Sequence, residues 1–252
     1  MQTYYYEYPP HPALAAHVAC VWAACAPGGR QAYRVLPDNC VDIMWQDGGQ
    51  PGFAVGMMSS AIVVASDRPT RTVAVRFKPG AAGAFLAVPL HALTDRRADI
   101  DLLWGRGDAD RLDDALWTRE LTDHERIALI ETQLLRRLHA IDSTATGGEA
   151  LIRRALGVLD TSGGGVRIDD LAGRLGVSRQ HLAARFRTQV GLSPKLYARI
   201  CRFRRATAAL TAVPAPDWAQ LALECGYFDQ SHLIHDFQEF AGSAPERFLS
   251  AA

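Results

Sequence analysis

The sequence has no apolar run long enough to cross a bilayer, and its first residues, MQTYYYEYPPHP, lack the basic and apolar segments of a signal peptide. We therefore expect a cytoplasmic protein that makes no contact with a membrane. Cysteine is scarce, and the five residues are irregularly spaced, which favours free thiols in a reducing compartment. They are Cys20, Cys25, Cys40, Cys201 and Cys225.

The chain also lacks net charge, with 27 basic and 27 acidic side chains, but the two signs are unevenly distributed. Residues 167–205 carry 10 basic and 2 acidic side chains, a net charge of +8. Residues 206–252 carry 1 basic and 6 acidic side chains, a net charge of −5. The dense positive block is typical of a site for a polyanion.

An internal repeat lies in the region of this block. From a His-Leu pair onward, matched positions of its two copies are 51 residues apart, and the preceding Ala and Gly are 50 apart. The first copy contains Ala172, Gly176, His181, Phe186, Gly191, Pro194 and Tyr197, and the second contains Ala222, Gly226, His232, Phe237, Gly242, Pro245 and Phe248.

Each copy has the pattern of a helix-turn-helix. A glycine ends the first helix, Ser178 or Asp229 caps the second, and a second glycine ends that one. The pair Asp169-Asp170 is expected to cap the first helix of the first copy. Apolar residues at helical spacing, such as Leu182 and Phe186, predict the buried face.

The first half of the chain reads as mostly β, with short runs separated by turn residues at about ten-residue spacing. We predict an α+β protein: an N-terminal β barrel or sandwich, cupin-like, with helices, then an all-α domain with two helix-turn-helix units. The polar stretch 142–149 places the domains at 1–145 and 146–252. The expected strands are His17–Ala23, Tyr33–Leu36, Val41–Trp45, Phe53–Met57, Ala61–Ala65 and Thr72–Phe77. Residues 89–104 are expected to connect through short helices, and 161–165 to form a flexible loop.

Two stretches of the second domain resemble the DNA-binding domain of the AraC/XylS family of transcription regulators. They are LAGRLGVSRQHLAARFRTQVGLSPKLYARICRFRRA and LALECGYFDQSHLIHDFQEFAGSAPERF. The second is close to the family signature of a Gly-aromatic pair, Asp-Gln-Ser-His, then Phe, Gly and Pro. In the first half, PDNCVDIMW and VRFKPGAAGAFLAVPLHALTDR are similar to a sensor domain found in some members.

The resemblance implies two reading helices, Ser178–Val190 and Asp229–Phe240, joined by a long helix from Pro194 to Thr211 that carries Lys195, Arg199, Arg202, Arg204 and Arg205. The candidate DNA-binding residues are Ser178, Arg179, Gln180, His181, Ala183, Ala184, Arg185, Arg187, Lys195, Arg202, Gln230, Ser231, His232 and His235, with Ile234 beside them. Grooves one turn apart, about 34 Å, could then be read by one molecule.

The chemistry of these positions is unequal between the two helices. Gln180 and Gln230 can pair with adenine through two hydrogen bonds, and the arginines can contact phosphate or guanine. In the second helix, Asp236 and Glu239 would repel DNA. From the charge split of +8 against −5, we expect the first unit and the bridging helix to supply most of the affinity. The second unit is expected to contribute less, or to contact another protein. His181 and His232 fit either a helix contact or a base contact.

The N-terminal domain is expected to bind a small-molecule effector, with an arginine holding an anion. Candidate lining residues are Trp22, Arg34, Trp45, Arg76 and Phe77. The alternatives are a domain that only dimerises, or a thiol-based sensor or repair enzyme using Cys20, Cys25 and Cys40. Because the segment has no His-x-His pair, a metal enzyme is disfavoured, and we expect neither enzymatic activity nor a cofactor. Double-stranded DNA is the expected partner, with RNA polymerase as a further one, for a monomer or homodimer.

Overall fold

The computed structural model describes residues 3–29, 32–140, 147–210 and 216–250. The chain divides into two compact units. The first comprises residues 1–33, 40–56 and 63–144, and the second comprises 34–39, 57–62 and 145–252. Most of the predicted boundary stretch lies outside the described residues.

A six-stranded antiparallel sheet forms the framework of the first unit, because β-branched and aromatic residues recur there between turn residues. Its strand order is β1-β2-β7-β4-β5-β8, and β3 and β6 form a separate two-stranded sheet. The strands are β1 (Tyr4–Tyr8), β2 (Val18–Ala26), β3 (Tyr33–Val35), β4 (Val41–Gln46), β5 (Phe53–Val55), β6 (Ile62–Val64), β7 (Thr70–Phe77) and β8 (Arg97–Asp99).

One face of this sheet is buried across its central strands. Val21, Val75 and Ile43 pair across β2, β7 and β4 and have no solvent exposure. Four helices belong to the same unit. The last residue of the second, Trp104, donates from its indole to the Phe85 carbonyl of the first at 3.0 Å. The four helices are α1 (Ala82–Leu86), α2 (Ile100–Trp104), α3 (Arg106–Trp117) and α4 (Asp123–Ala140), with 3-10 turns at Pro12–Leu14 and Leu90–Ala92.

The second unit is helical, which confirms the predicted order of a mostly-β part followed by a helical part. Its helices are α5 (Gly147–Thr161), α6 (Ile168–Leu175), α7 (Arg179–Val190), α8 (Pro194–Leu210), α9 (Trp218–Glu224), α10 (Gln230–Ala241) and α11 (Pro245–Ser250). The core is aromatic: Phe203 packs edge-on against Phe237 at 5.0 Å and contacts Phe240 at 5.4 Å between ring centroids. Phe186 packs edge-on against Tyr197.

Two short segments from the first half of the sequence also belong to this helical unit. Asn39 is 1% exposed and has a left-handed backbone, with φ of 63°. Its amide donates to the Tyr197 carbonyl at 3.2 Å and to Cys201 Sγ at 3.4 Å. The Ala61 N–H donates to the Phe240 carbonyl at 3.0 Å. The unit is therefore assembled from three stretches of chain.

The glycine stretch before α6 differs from its prediction as a flexible loop. Gly164 is buried with φ of +77°, and a β-carbon there would lie 2.0 Å from the Ala198 carbonyl oxygen. Its own carbonyl accepts a hydrogen bond of 2.7 Å from Arg202. The absence of a side chain is what allows this turn to pack directly on α8.

Candidate nucleic-acid interface

Two helical hairpins, α6–α7 and α9–α10, are built by the same local rules. Gly176 and Gly226 follow the first helix of each pair with φ of +70° and +83°, a conformation that glycine adopts without steric cost. Gly191 and Gly242 end the second helices in the same left-handed region. Pro194 then begins α8 at its first position, where the missing N–H costs no hydrogen bond.

The predicted caps of both second helices are present. The Ser178 hydroxyl accepts from the His181 N–H at 3.1 Å, and the Asp229 carboxylate accepts from the His232 N–H at 2.8 Å. The predicted cap of α6 is wrong. That helix has Arg167 at its cap position, so Asp169 and Asp170 lie in its first turn. Negative charge there interacts favourably with the helix dipole.

The first reading helix, α7, separates a buried face from an exposed one. Leu182, Phe186 and Val190 are completely buried. The predicted contact residues are on the other side, all exposed except the half-buried Ala183: Ser178, Arg179, Gln180, His181, Ala183, Ala184, Arg185 and Arg187. Lys195, near the start of α8, is also exposed. Arg179 forms an ion pair of 2.9 Å with Asp169, and both side chains remain more than half exposed.

The second reading helix, α10, presents its predicted residues in the same way. Ser231, His232 and His235 are exposed, and Gln230 and Ile234 are half-buried. Phe228, which precedes the cap, is 84% exposed and contacts His232 edge-on at 6.0 Å. The second copy has one more residue than the first between its Gly and its His-Leu pair, as the offsets of 50 and 51 show. That insertion was the sequence signal for Phe228, which the predicted contact set omitted.

Asp229 also fixes the ring of His232. Its Oδ1 lies 2.9 Å from His232 Nδ1. The hydrogen bond from the His232 N–H holds the pKa of Asp229 below its usual value, so the carboxylate is ionised at neutral pH and can only accept. The Nδ1 atom therefore carries the hydrogen, and Nε2 of a neutral ring is left as an acceptor.

An ion network ties α10 to α8 and corrects the expected repulsion. Arg199 on α8 donates to Asp236 Oδ1 at 3.0 and 2.6 Å and to Glu239 at 3.1 and 2.5 Å. Its guanidinium also lies 4.9 Å from the Phe240 ring centroid. Both carboxylates are thus paired with Arg199, so the acidic residues of the second helix are not two free negative charges facing a ligand.

The titration of this network follows from its contacts. Burial alone would lower the pKa of Arg199, but the hydrogen bonds to Glu239 and Asp236 raise it above its usual value. The same hydrogen bonds lower the pKa of Glu239. The side chains of His235, Asp236 and Glu239 each offer an atom that could bind a metal ion, and these atoms lie within 4.8 Å of one another. Because the Arg199 guanidinium already supplies the cation there, the cluster is an ion-pair network.

Arg202, an expected DNA contact, is half-buried and bonded within the protein. It donates to the Gly164 carbonyl at 2.7 Å, and its guanidinium lies 5.5 Å from the Tyr227 ring centroid. Burial and the neighbouring Asp236 raise the pKa of Tyr227. Arg202 therefore packs the turn before α6 and the turn before α10 against α8. Arg204 and Arg205 remain exposed on the same helix.

The predicted effector residues do not converge. Trp22 and Arg76 lie on one face of the six-stranded sheet, because Cys20 pairs with Arg76 and Trp22 with Ala74. Trp45 and Phe77 lie on the other face, fully buried against Trp104 and Phe85. Arg34 belongs to the helical unit, where it donates to Ser243 Oγ at 3.5 Å.

The Trp22 face of the sheet is less completely covered than the opposite face. Half-buried Ala24 and Met44 border the buried cluster of Cys20, Trp22 and Ala74. Trp22 Nε1 is buried and has no hydrogen-bond partner among the described residues. At one end, Arg76 donates to both oxygens of Asp42 at 3.1 and 3.0 Å.

The cysteines do not form a cluster of reactive thiols. All five are thiols and not disulfides, and Cys20 and Cys25 lie on opposite faces of β2 because they are an odd number of residues apart. In the helical unit, burial and the neighbouring Asp160 raise the pKa of Cys201 to about 12, and burial raises the pKa of Cys225. Thiols with raised pKa values are poor nucleophiles.

Residues 171–251 match the family profile described as "Helix-turn-helix domain", and residues 6–99 match "Domain of unknown function (DUF6597)". The second unit therefore carries a helix-turn-helix domain of the AraC type, as the two sequence stretches predicted. No curated protein sequence matches the chain. No helix in the described parts of the chain is long and apolar enough to span a membrane.

Solved structures that are similar to this chain share little sequence with it. ToxT from Vibrio cholerae is 13% identical, with 91% of this chain and 97% of ToxT covered and a TM-score of 0.46. ToxT bound to an unsaturated fatty acid is 11% identical, with 91% and 94% covered and a TM-score of 0.44. A DNA-binding transcriptional dual regulator from Escherichia coli K-12 is 21% identical, with 40% and 97% covered and a TM-score of 0.35.

Proposed function

We propose that this protein is a transcription regulator that binds specific double-stranded DNA through α7 and α10. The observation that carries the proposal is the repeated hairpin itself. Each copy buries Leu and Phe on one side of its second helix and exposes polar side chains that can reach base edges on the other. A helix of this kind fits the major groove.

The two hairpins should differ less in their contribution to DNA affinity than the charge count suggests. Arg199 belongs to the basic block, but it is neutralised by Asp236 and Glu239 of the acidic part. Arg202 is likewise held by Gly164. The first hairpin keeps Arg185 and Arg187 exposed, so it remains the stronger candidate for phosphate contacts.

Selection of bound duplexes from a random pool tests the proposal. We expect an enriched site with two short half-sites about one helical turn apart. Arg185→Ala should weaken binding to the selected site and lower its salt dependence, and Gln230→Ala should change base preference in one half-site with a smaller loss of affinity. A pool that returns no enriched sequence at low salt would contradict sequence-specific binding.

A small-molecule effector is the second proposed ligand, at the Trp22 face of the sheet. The support is a sheet face that combines half-buried apolar side chains with an unpaired indole N–H, which matches the mostly apolar lining of ligand sites. A thermal-shift screen with the full chain tests it. Trp22→Phe should abolish the shift caused by a binding compound, and Trp117→Phe should retain it. A domain that only dimerises would give no compound with this behaviour.

A further inference from the structure

A groove lies between α5, which is outside the repeated hairpins, and the first reading helix α7. Its volume is about 350 Å³. Arg154 of α5 faces His181 and Arg185 of α7 across it, and the remaining wall is formed by small or apolar residues. These are Gly148, Ala150, Leu151 and Val177.

The position of Arg185 depends on the first turn of α5. A β-carbon on Gly148 would lie 3.3 Å from Arg185 Nη1 and 3.4 Å from Gln189 Nε2. The lack of a side chain at Gly148 therefore lets the guanidinium lie close to the α5 backbone.

Arg154 also lines a second groove, between α5 and α6, together with Arg174. The charged side chains that line the two grooves are all cationic. Among the described residues, Arg154, Arg174 and Arg185 form no ion pair, in contrast to Arg179 and Arg199. Arg154 thus borders both grooves, one shared with Arg185 of α7 and the other with Arg174 of α6, and none of the three guanidinium groups is neutralised.

We propose that this groove binds a phosphate group of the DNA backbone, with Arg154 as a phosphate ligand that acts with Arg185 beside the first reading helix. The inference rests on the proposed function, because a duplex seated on α7 is the source of the phosphate. A guanidinium presents paired donors that match phosphate oxygens, and the groove concentrates two of them with no competing carboxylate in its wall. Phosphate contacts at the edge of a reading helix fix its register and carry no base information.

The test is a set of salt titrations with the full chain on a selected duplex and on an unrelated duplex. Arg154→Ala should weaken binding to both by a similar factor, about tenfold, and should reduce the salt slope by about one. The matched control is Arg153→Ala, since Arg153 is the neighbouring exposed arginine of α5 and does not line either groove. Arg154→Lys should keep the salt slope and lose only part of the affinity.

Inorganic phosphate distinguishes a backbone phosphate from a free anion. At fixed ionic strength we expect phosphate to compete weakly with duplex on the wild-type chain and not at all on Arg154→Ala. Strong phosphate binding without any effect of Arg154→Ala on duplex affinity would overturn the backbone assignment. Equal losses of duplex affinity in Arg153→Ala and Arg154→Ala would also overturn the backbone assignment. The proposed function of DNA binding would still stand in that case. A wild-type chain that ignores duplex would instead reject the proposed function itself.

Discussion

At the scale of single residues, the Arg199 network should contribute strongly to stability. Arg199→Ala would leave Asp236, which is 5% exposed, as a buried carboxylate without its cation. We expect a loss of about 3 kcal/mol in the free energy of unfolding, measured by chemical denaturation. Arg204→Ala, an exposed arginine on the same helix, should change it by less than about 0.5 kcal/mol. Similar losses for both variants would show that the network does not hold α10.

The same network predicts a pH dependence. The folded-state pKa of Glu239 is lowered from 4.5 by Arg199, so this carboxylate contributes stability above the unfolded pKa. That contribution is lost as the pH falls through the lower folded pKa. Glu239→Gln should cost about 0.5 to 1 kcal/mol at pH 7, and this cost should decrease as the pH falls below the usual pKa of a glutamate. Denaturation curves across this range provide the measurement, and a constant difference would exclude the ion pair as its cause.

Asp229 should influence base preference through His232. Because the carboxylate holds the hydrogen on Nδ1, Nε2 can accept from the amino group of cytosine or adenine. Asp229→Ser copies the cap of the first hairpin and keeps α10 capped. We expect about fivefold loss of preference at one base position, with little change in stability. A selection that returns the same preferred base from this variant would exclude the role of the carboxylate.

The local rules of these elements are largely readable in the sequence, and the contacts between elements are not. Gly176, Ser178 and Pro194 act within their own turns, so their roles follow from neighbouring residues. Arg199 and Asp236 are 37 residues apart, and their pairing depends on how α8 and α10 cross. The strand β1 was missed because Tyr-Tyr-Tyr-Glu-Tyr has no apolar alternation, and β8 because three residues carry too little pattern.

At the scale of elements, the turn before α6 and the turn after it provide a matched pair of glycines. Both Gly164 and Gly176 have left-handed backbones, but only Gly164 faces the Ala198 carbonyl. Gly176→Ala should cost about 1 to 2 kcal/mol from backbone strain alone. Gly164→Ala adds a steric clash, and we expect a total of about 3 kcal/mol or more. Thermal unfolding compares the two variants, and an equal loss would mean that the turn does not pack closely on α8.

At the scale of the whole molecule, the two units have different predictability. The helical unit repeats a pattern whose two copies check each other, so its hairpins and capped reading helices could be predicted in detail. The β unit has no internal copy, and the predicted effector residues mixed the two faces of one sheet. Trp22 and Trp45 look alike in a sequence of short strands, and only the strand register separates them.

We propose above all that α7 and α10 contact successive major grooves of one duplex. Hydroxyl-radical footprinting of the full chain on a selected site, at low ionic strength, measures this directly. We predict two protected segments on one side of the duplex, separated by about one helical turn, with Arg185→Ala removing protection at one and His235→Ala weakening the other. A single protected segment that both variants affect equally, or no protection at all, would contradict the claim.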